Sequence, residues 1–305
     1  FPPLVTGIVI TAIGLYLLPV GIKYAAGGAA AFQMNAPEWG DFSKWGLALV
    51  VIFVSLGIKF FTRGTMSSAA ILIGLIAGYI VGYFTGAVNL GGVSKAAWFA
   101  IPQPFKYGIE FSVYAIVGMC LMSIVSAIET VGDISGIAKG GANREATDKE
   151  LAGGTYADGV GSFVAGLFGG LPNTSFSQNV GLISMTGVMS RSVVTLGALF
   201  LVACGLIPKV GAVVAAMPIS VLGGGVIVMF GMVVSAGISM LADVSWNRRN
   251  MIILAMSMSI GLGLQAVPKS MQHLPDSLEM LMVSGLLPAA AIAVILNLLI
   301  PEEID

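Results

Sequence analysis

Glu129 and Asp133, in the stretch Ala127-Ile128-Glu129-Thr130-Val131-Gly132-Asp133, are spaced i and i+4 and so share one face of any helix that holds them. Asp158 follows in Ala157-Asp158-Gly159, inside another apolar stretch. A polar run then reads Gly169-Gly170-Leu171-Pro172-Asn173-Thr174-Ser175-Phe176-Ser177-Gln178-Asn179. A carboxylate inside a membrane is costly when ionised, and burial favours its protonated form. Such acids can therefore load and release a proton, which is what proton coupling requires. Gln178 offers one acceptor and two donors in a plane, a match for the amide or lactam edge of a heterocycle. Two structural alternatives stand beside these readings. Glu129 and Asp133 could form an interfacial helix end that meets Lys139, with Asp158 satisfying a backbone break, and Gln178 could cap a helix together with Ser177.

Other chemistries lack their residues. The single histidine, His273, falls in a connection beside Pro275, and neither a metal-binding spacing nor a phosphate-binding loop occurs. No intramembrane histidine is available to activate a serine, so an enzyme is not expected. Cys120 and Cys204 both sit in apolar stretches and suggest neither a disulfide framework nor a metal site. With a formal charge of −1, the chain has no basic character for nucleic acid. A metal or organic cofactor is not expected; the proton would be the coupling ion.

The elements that position these groups follow from composition. Of the 305 residues 57% are hydrophobic and 10% charged, where a soluble domain carries about 25% charged residues. Too few polar residues exist to cover a soluble core, so the chain reads as an all-α polytopic membrane protein in contact with a lipid bilayer. Apolar runs long enough to cross lie at about 4–22, 45–61, 66–87, 111–136, 151–170, 172–188, 192–208, 213–241, 250–267 and 279–300. If each crosses once, all five arginines fall on one side, which is then cytoplasmic. Gly74, Gly78, Gly82 and Gly86 form a four-residue ribbon on the third run, a surface for close helix approach.

Two features break the simple pattern. Between Asp158 and Arg191 lie about 32 uncharged residues, fewer than the roughly 40 that two full crossings need, with the polar run in their middle. Non-helical backbone at membrane depth survives only when it is buried in protein or lines a cavity. The region 172–188 is thus expected to be a short extended piece followed by a half-helix from about Ser177, with a re-entrant loop as the alternative. Secondly, Pro2, Val5, Gly7, Gly21 and Ile22 match Pro218, Val221, Gly223, Gly237 and Ile238 at one constant offset. The two runs are seven crossings apart, so the copies would be inverted, an architecture of transporters. The chain opens Phe1-Pro2-Pro3, without Met. Four spans that would complete the repeat are then expected upstream, which makes this a C-terminal piece.

Gln178-Asn179-Val180-Gly181-Leu182-Ile183-Ser184-Met185-Thr186-Gly187 resembles the signature of the nucleobase–ascorbate transporter family. In that signature Gln, Glu or Pro is followed by Asn, any residue, Gly, four variable residues, Thr, and Arg, Lys or Gly. The stretches around Glu129 and Asp158 resemble the other two motifs of its bacterial xanthine and uric acid permeases, and Phe1 to Gly7 is similar to the start of the family's fifth span. The resemblance covers all 305 residues as spans five to fourteen of fourteen. It implies the uracil-permease fold of two inverted seven-span repeats, with residues 1–110 and 210–305 as the gate domain and 111–209 as half of the core domain. It further implies proton symport of an oxidised purine, xanthine or uric acid, across the cytoplasmic membrane. Glu129 and Gln178 would contact the substrate, with Asn179, Ser177 and Phe176 beside them. Asp133 and Asp158 would tune the site or carry the proton, while Gly181, Thr186 and Gly187 would shape the motif. A homodimer through the gate domain is also implied. The alternatives are a uracil or other nucleobase permease of this fold, or an anion exchanger or channel of related fold, which would present a basic pocket.

Overall fold

The computed structural model describes residues 2–176, 179–180, 183 and 188–301. Among these every regular element is helical: α1 (Pro3–Ala25), α2 (Phe42–Phe61), α3 (Ala70–Phe84), α4 (Val113–Ala142), α5 (Asp148–Leu167), α6 (Arg191–Gly205), α7 (Pro208–Ala215), α8 (Ile219–Leu241), α9 (Arg248–Ala266), α10 (Asp276–Val283) and α11 (Leu286–Leu299), joined by shorter turns. In α1, α2, α4 and α8 a single helix is long and apolar enough to cross a membrane, and the chain is an integral membrane protein. Of the ten candidate runs, two more than the expected break at 172–188 are discontinuous among the described residues. The run 192–208 ends at Gly205, and α6 and α7 meet at 85° because Pro208 opens a new helix. The run expected at 213–241 accordingly starts only at Ile219. The last run, 279–300, is interrupted between α10 and α11 at Gly285, whose φ of 71° is outside the helical range.

Local signals explain the ends of the two helices that carry the acids. Ser112 accepts the Ala115 N–H at the start of α4, and Asn143, left-handed at φ 51°, closes it. At α5 the Thr147 side chain accepts the Glu150 N–H while Glu150 accepts the Thr147 N–H, a reciprocal capping box. Arg144 grips both oxygens of Glu150 at 2.6 and 2.8 Å. That pairing, with the Thr147 N–H next, holds the Glu150 carboxyl well below the usual carboxylate range. The other end of α5 closes on Gly169 (φ 73°), with the Gly170 N–H returning to the Ala165 carbonyl at 2.8 Å. The polar run therefore begins at a built stop, and residues 170–176 form neither helix nor strand.

By its contacts the chain divides into two units: Phe1–Tyr16, Pro104–Ser184 and Met232–Asp305 in one, Leu17–Gln103 and Met185–Gly231 in the other. In the first, Val125 and Ile128 of α4 are buried with Leu4, Val5, Ile8 and Val9 of α1, Leu241, Ile253 of α9, and Leu287, Ala290 and Ala293 of α11. In the second, α2 packs along α3 through the glycine ribbon. A Cβ on Gly74 would collide with Ser55, and one on Gly78 with Val51. A Cβ on Gly82 would lie 3.2 Å from Pro218, but one on Gly86 would meet nothing within 4 Å, and Gly86 instead ends the helix at φ 73°. That fourth glycine belongs to the stop rather than to the packing ribbon.

The residues that match at the constant offset contact one another reciprocally. Within the first unit Gly7 approaches Leu241 so closely that a Cβ there would lie 2.8 Å from the Leu241 side chain, and Gly237 meets the backbone of Thr11. Within the second, Gly223 meets the backbone of Tyr24 and Ala25, and Gly21 meets Ile227. The offset that carries Gly7 to Gly223 carries Ala25 to Leu241, and the same offset carries Gly21 to Gly237 and Thr11 to Ile227. Each contact thus has a counterpart with the two positions exchanged.

Candidate functional site

The four polar residues Ser126, Glu129, Thr130 and Asp133 recur at i, i+3, i+4 and i+7, so they make one stripe on α4. Val125, Ile128 and Gly132 lie about a third of a turn away, at roughly 3.6 residues per turn. That apolar face is fixed against α1, α8, α9 and α11, with Gly132 close to Thr6, Ile10 and Met240. The stripe is thereby turned toward α5 and the polar run. Gly154 lets α5 approach Ile134 of α4, and Gly161 lets the run approach α5, its absent Cβ leaving room for Asn173 at 2.6 Å.

Hydroxyl groups join the acids. Asp158 accepts Thr130 Oγ1–H at 2.8 Å and faces Ser126 Oγ at 3.3 Å, both through Oδ2. Ser126 Oγ also lies 2.9 Å from Thr174 Oγ1, and Thr174 donates to Glu129 Oε2 at 3.2 Å. Ser175 donates to Asp133 Oδ2 at 2.5 Å. Thr130 and Asp133 are each only 3% exposed, so their hydrogen bonds carry the cost of burial that an unmade bond would leave uncompensated. The backbone of the run is secured one turn further along α5, where Ser162 Oγ accepts the Asn173 N–H at 3.0 Å.

The structure thus brings Glu129, Asp133 and Asp158 to one surface of α4, α5 and residues 173–175. Lys139 does not serve the two α4 acids, for it pairs with Asp243 at 2.7 Å. Nor does Asp158 satisfy the backbone break: it takes side-chain hydroxyls from α4, and Ser162 and Asn173 secure the break. Phe176 is exposed, and Asn179, the next described residue, is helical with its N–H on the Phe176 carbonyl at 2.9 Å. Ser177, Gln178, Gly181, Thr186 and Gly187 lie outside the described residues, as does most of the expected half-helix. Among the described residues no group of three His, Cys, Asp or Glu is placed to hold a metal ion.

Sequence reasoning missed Ser126, Thr130, Thr174, Ser175 and Ser162. The first two were within reach of the helical period that paired Glu129 with Asp133. Thr174, Ser175 and the Ser162 contact depend on the packing of the run against two helices, which no local pattern encodes.

Residues 1–270 match a family described as a permease family. The chain is 37% identical to the xanthine permease of Bacillus subtilis over 300 residues, 98% of this chain and 67% of that protein. It is 38% identical to the nucleobase transporter PlUacP of Paenibacillus larvae over 302 residues, 98% of this chain and 68% of the other. The uric acid transporter UacT of Escherichia coli is 38% identical over 300 residues, 97% of this chain and 61% of that protein. The chain spans about two thirds or less of the length of these relatives.

Proposed function

The chain belongs to the nucleobase–ascorbate transporter family, in its bacterial xanthine and uric acid permease branch, and we propose that it serves the uptake of an oxidised purine by proton symport across the cytoplasmic membrane. The observation that carries this reading is the acidic cluster itself: Glu129, Asp133 and Asp158 are linked through hydroxyls at the edge of the run that leads into Gln178. In that reading Glu129 and Gln178 take the edges of the purine. The amide of Gln178 pairs with a lactam N–H and carbonyl, and the Glu129 carboxylate accepts a further ring N–H. Asn179, Ser177 and Phe176 flank the purine, Asp158 and Asp133 set the charge of the pocket, and Gly181, Thr186 and Gly187 shape the turn of the motif. No cofactor is called for beyond the proton.

Residues 1–110 and 210–305 are assigned to a gate domain and 111–209 to part of a core domain that moves against it, with a homodimer through the gate. The exchanged contacts of Gly7, Gly21, Gly223 and Gly237 support the inverted repeat on which this division rests. An anion exchanger of related fold calls for a basic pocket, and the described side chains around Thr174 are acids and hydroxyls.

The test is accumulation of labelled xanthine and urate by cells expressing the gene, with and without a proton uncoupler. Accumulation that collapses with the uncoupler and is abolished by Gln178→Ala together with Glu129→Ala is expected. Accumulation that survives the double substitution refutes the site, and anion exchange without purine uptake refutes the function.

A further inference from the structure

We propose that Ser126 and Thr174 form a two-hydroxyl path that passes a proton between Asp158 and Glu129. The inference rests on the transport reading above and adds the route by which two of its acids act as one unit. The hydroxyls of these helices fall into two groups. Ser123, Ser135 and Thr155 donate to carbonyls four residues back in their own helices, at 2.8, 2.8 and 2.9 Å. That is the ordinary fate of Ser and Thr in an apolar helix, since it costs no partner elsewhere. The others bond across to another segment: Ser126 and Thr130 to Asp158, and Ser162 to Asn173.

Donor arithmetic makes the arrangement switchable. Ser126 has one hydrogen and two acceptors in range, Asp158 Oδ2 at 3.3 Å and Thr174 Oγ1 at 2.9 Å. With Asp158 ionised and Glu129 protonated, the charge-assisted bond from Ser126 to Asp158 is favoured. With Asp158 protonated on Oδ2 its own O–H donates to Ser126, Ser126 donates to Thr174, and Thr174 donates to Glu129 Oε2 at 3.2 Å. The chain then runs in one direction from acid to carboxylate. In the transfer Asp158 gives its proton to Ser126 Oγ, Ser126 gives its former hydroxyl proton to Thr174 Oγ1, and Thr174 gives its own to Glu129. One carboxyl loses a proton, the other gains one, and both hydroxyls end neutral with their hydrogens reversed. Thr130, at 2.8 Å from the same Oδ2, holds the Asp158 carboxyl in place throughout.

The titratable surroundings are few. On α4 the neighbour is Asp133, bonded to Ser175, and residues 171–187 carry no charged residue. The part of α1 in this unit contains only Tyr16, and the parts of α8 and α11 packed with it contain none; α9 carries Arg248 and Arg249 in its first turn, Arg249 being held by the Asn297 and Ile300 carbonyls, and α5 carries Asp148, Lys149 and Glu150 in its first turn and Tyr156 beyond them. On α10 Glu279 and Asp276 belong to a helix that meets α4 near Gly118, two turns before Ser126.

The test separates proton transfer from substrate handling. Thr174→Val and Ser126→Ala remove the path, and Thr174→Ser keeps it. Purine exchange between two purine-loaded compartments needs no net proton movement, whereas accumulation against a gradient does. The two blocking variants are expected to keep exchange within about threefold of wild type and to lose tenfold or more of proton-driven accumulation, with a displaced pH profile, while Thr174→Ser resembles wild type. Accumulation by Thr174→Val with the wild-type pH profile overturns the path, and so does loss of exchange in both blocking variants, which would mark a structural or substrate-binding role. An infrared spectrum of the protonated carboxyls in the purified protein decides the path without any purine. The carboxyl band that Glu129→Gln removes should move to higher frequency in Thr174→Val, where the hydroxyl donor to Glu129 Oε2 is gone, and stay in place in Thr174→Ser. If wild type exchanges no purine, the transport reading fails and this spectrum still stands; an unmoved band in Thr174→Val overturns the path.

Discussion

Gly223→Ala tests whether the seam between α8 and the end of α1 is set by backbone or by side chains. A Cβ at Gly223 would lie 2.5 Å from Tyr24 C and 2.6 Å from Ala25 Cα, and nearer still to Ala25 N. These are backbone atoms, so no rotamer change relieves the clash; the helices themselves must part. Ordinary contact begins at 3.4 Å, so the seam must open by at least about 0.9 Å, enough to forfeit a quarter to a half of the dispersion attraction along it. Overpacking of this kind costs about 1–3 kcal/mol, and the better helix propensity of Ala returns about 1 kcal/mol. Gly7, its match at the constant offset, meets mainly the Leu241 side chain, which can rotate. Gly231 meets nothing within 4 Å. Thermal unfolding of the purified protein in detergent should therefore rank Gly231→Ala at or above wild type, Gly7→Ala slightly below, and Gly223→Ala lowest, by about 2–6 °C. Gly237→Ala, facing the Thr11 backbone, should behave like Gly223→Ala. If Gly223→Ala proves as stable as Gly231→Ala, the reasoning is refuted.

Two further outcomes concern charged groups at helix ends. Glu150 titrates below its unfolded value of about 4.3, because Arg144 and the Thr147 N–H bind its ionised form. Its stabilising effect is therefore complete above that unfolded value and is lost as pH falls through the lower folded one. The difference in Tm between wild type and Glu150→Gln should be widest near neutrality and narrow below about pH 4; a difference independent of pH refutes the assignment. Arg249, 8% exposed, sits at the N-terminal turn of α9 yet donates from Nη2 to the Asn297 carbonyl at 2.6 Å and from Nε to that of Ile300 at 2.9 Å. It neutralises the negative end of α11 and ties it to α9. Arg249→Lys keeps the charge and loses the fork, so it should cost about 1.5–3 kcal/mol, seen as protease sensitivity after α11. Unchanged protection would show that charge alone suffices.

What the amino-acid sequence determined by itself was the environment and the chemistry. An apolar content of 57% with 10% charge leaves a bilayer as the only solvent in which the chain is soluble. The i, i+4 spacing of Glu129 and Asp133, and Asp158 in its apolar stretch, marked the acids because ionised groups are expensive there. The glycine period of α3 marked a packing face because that face is a local, periodic property. Tertiary structure decided the rest. Which helices are broken depended on Pro208 and Gly285, whose effects were hidden by apolar runs that read as continuous. Whether Lys139 would neutralise the α4 acids depended on Asp243, 104 residues away in sequence, being within its reach. The hydroxyls of Thr174 and Ser175 became partners of Glu129 and Asp133 only because Gly154 and Gly161 let α5 and the polar run close on α4. A hydrogen bond needs its donor within about 3 Å, and across the 45 and 42 residues that separate these pairs that distance is set by packing alone.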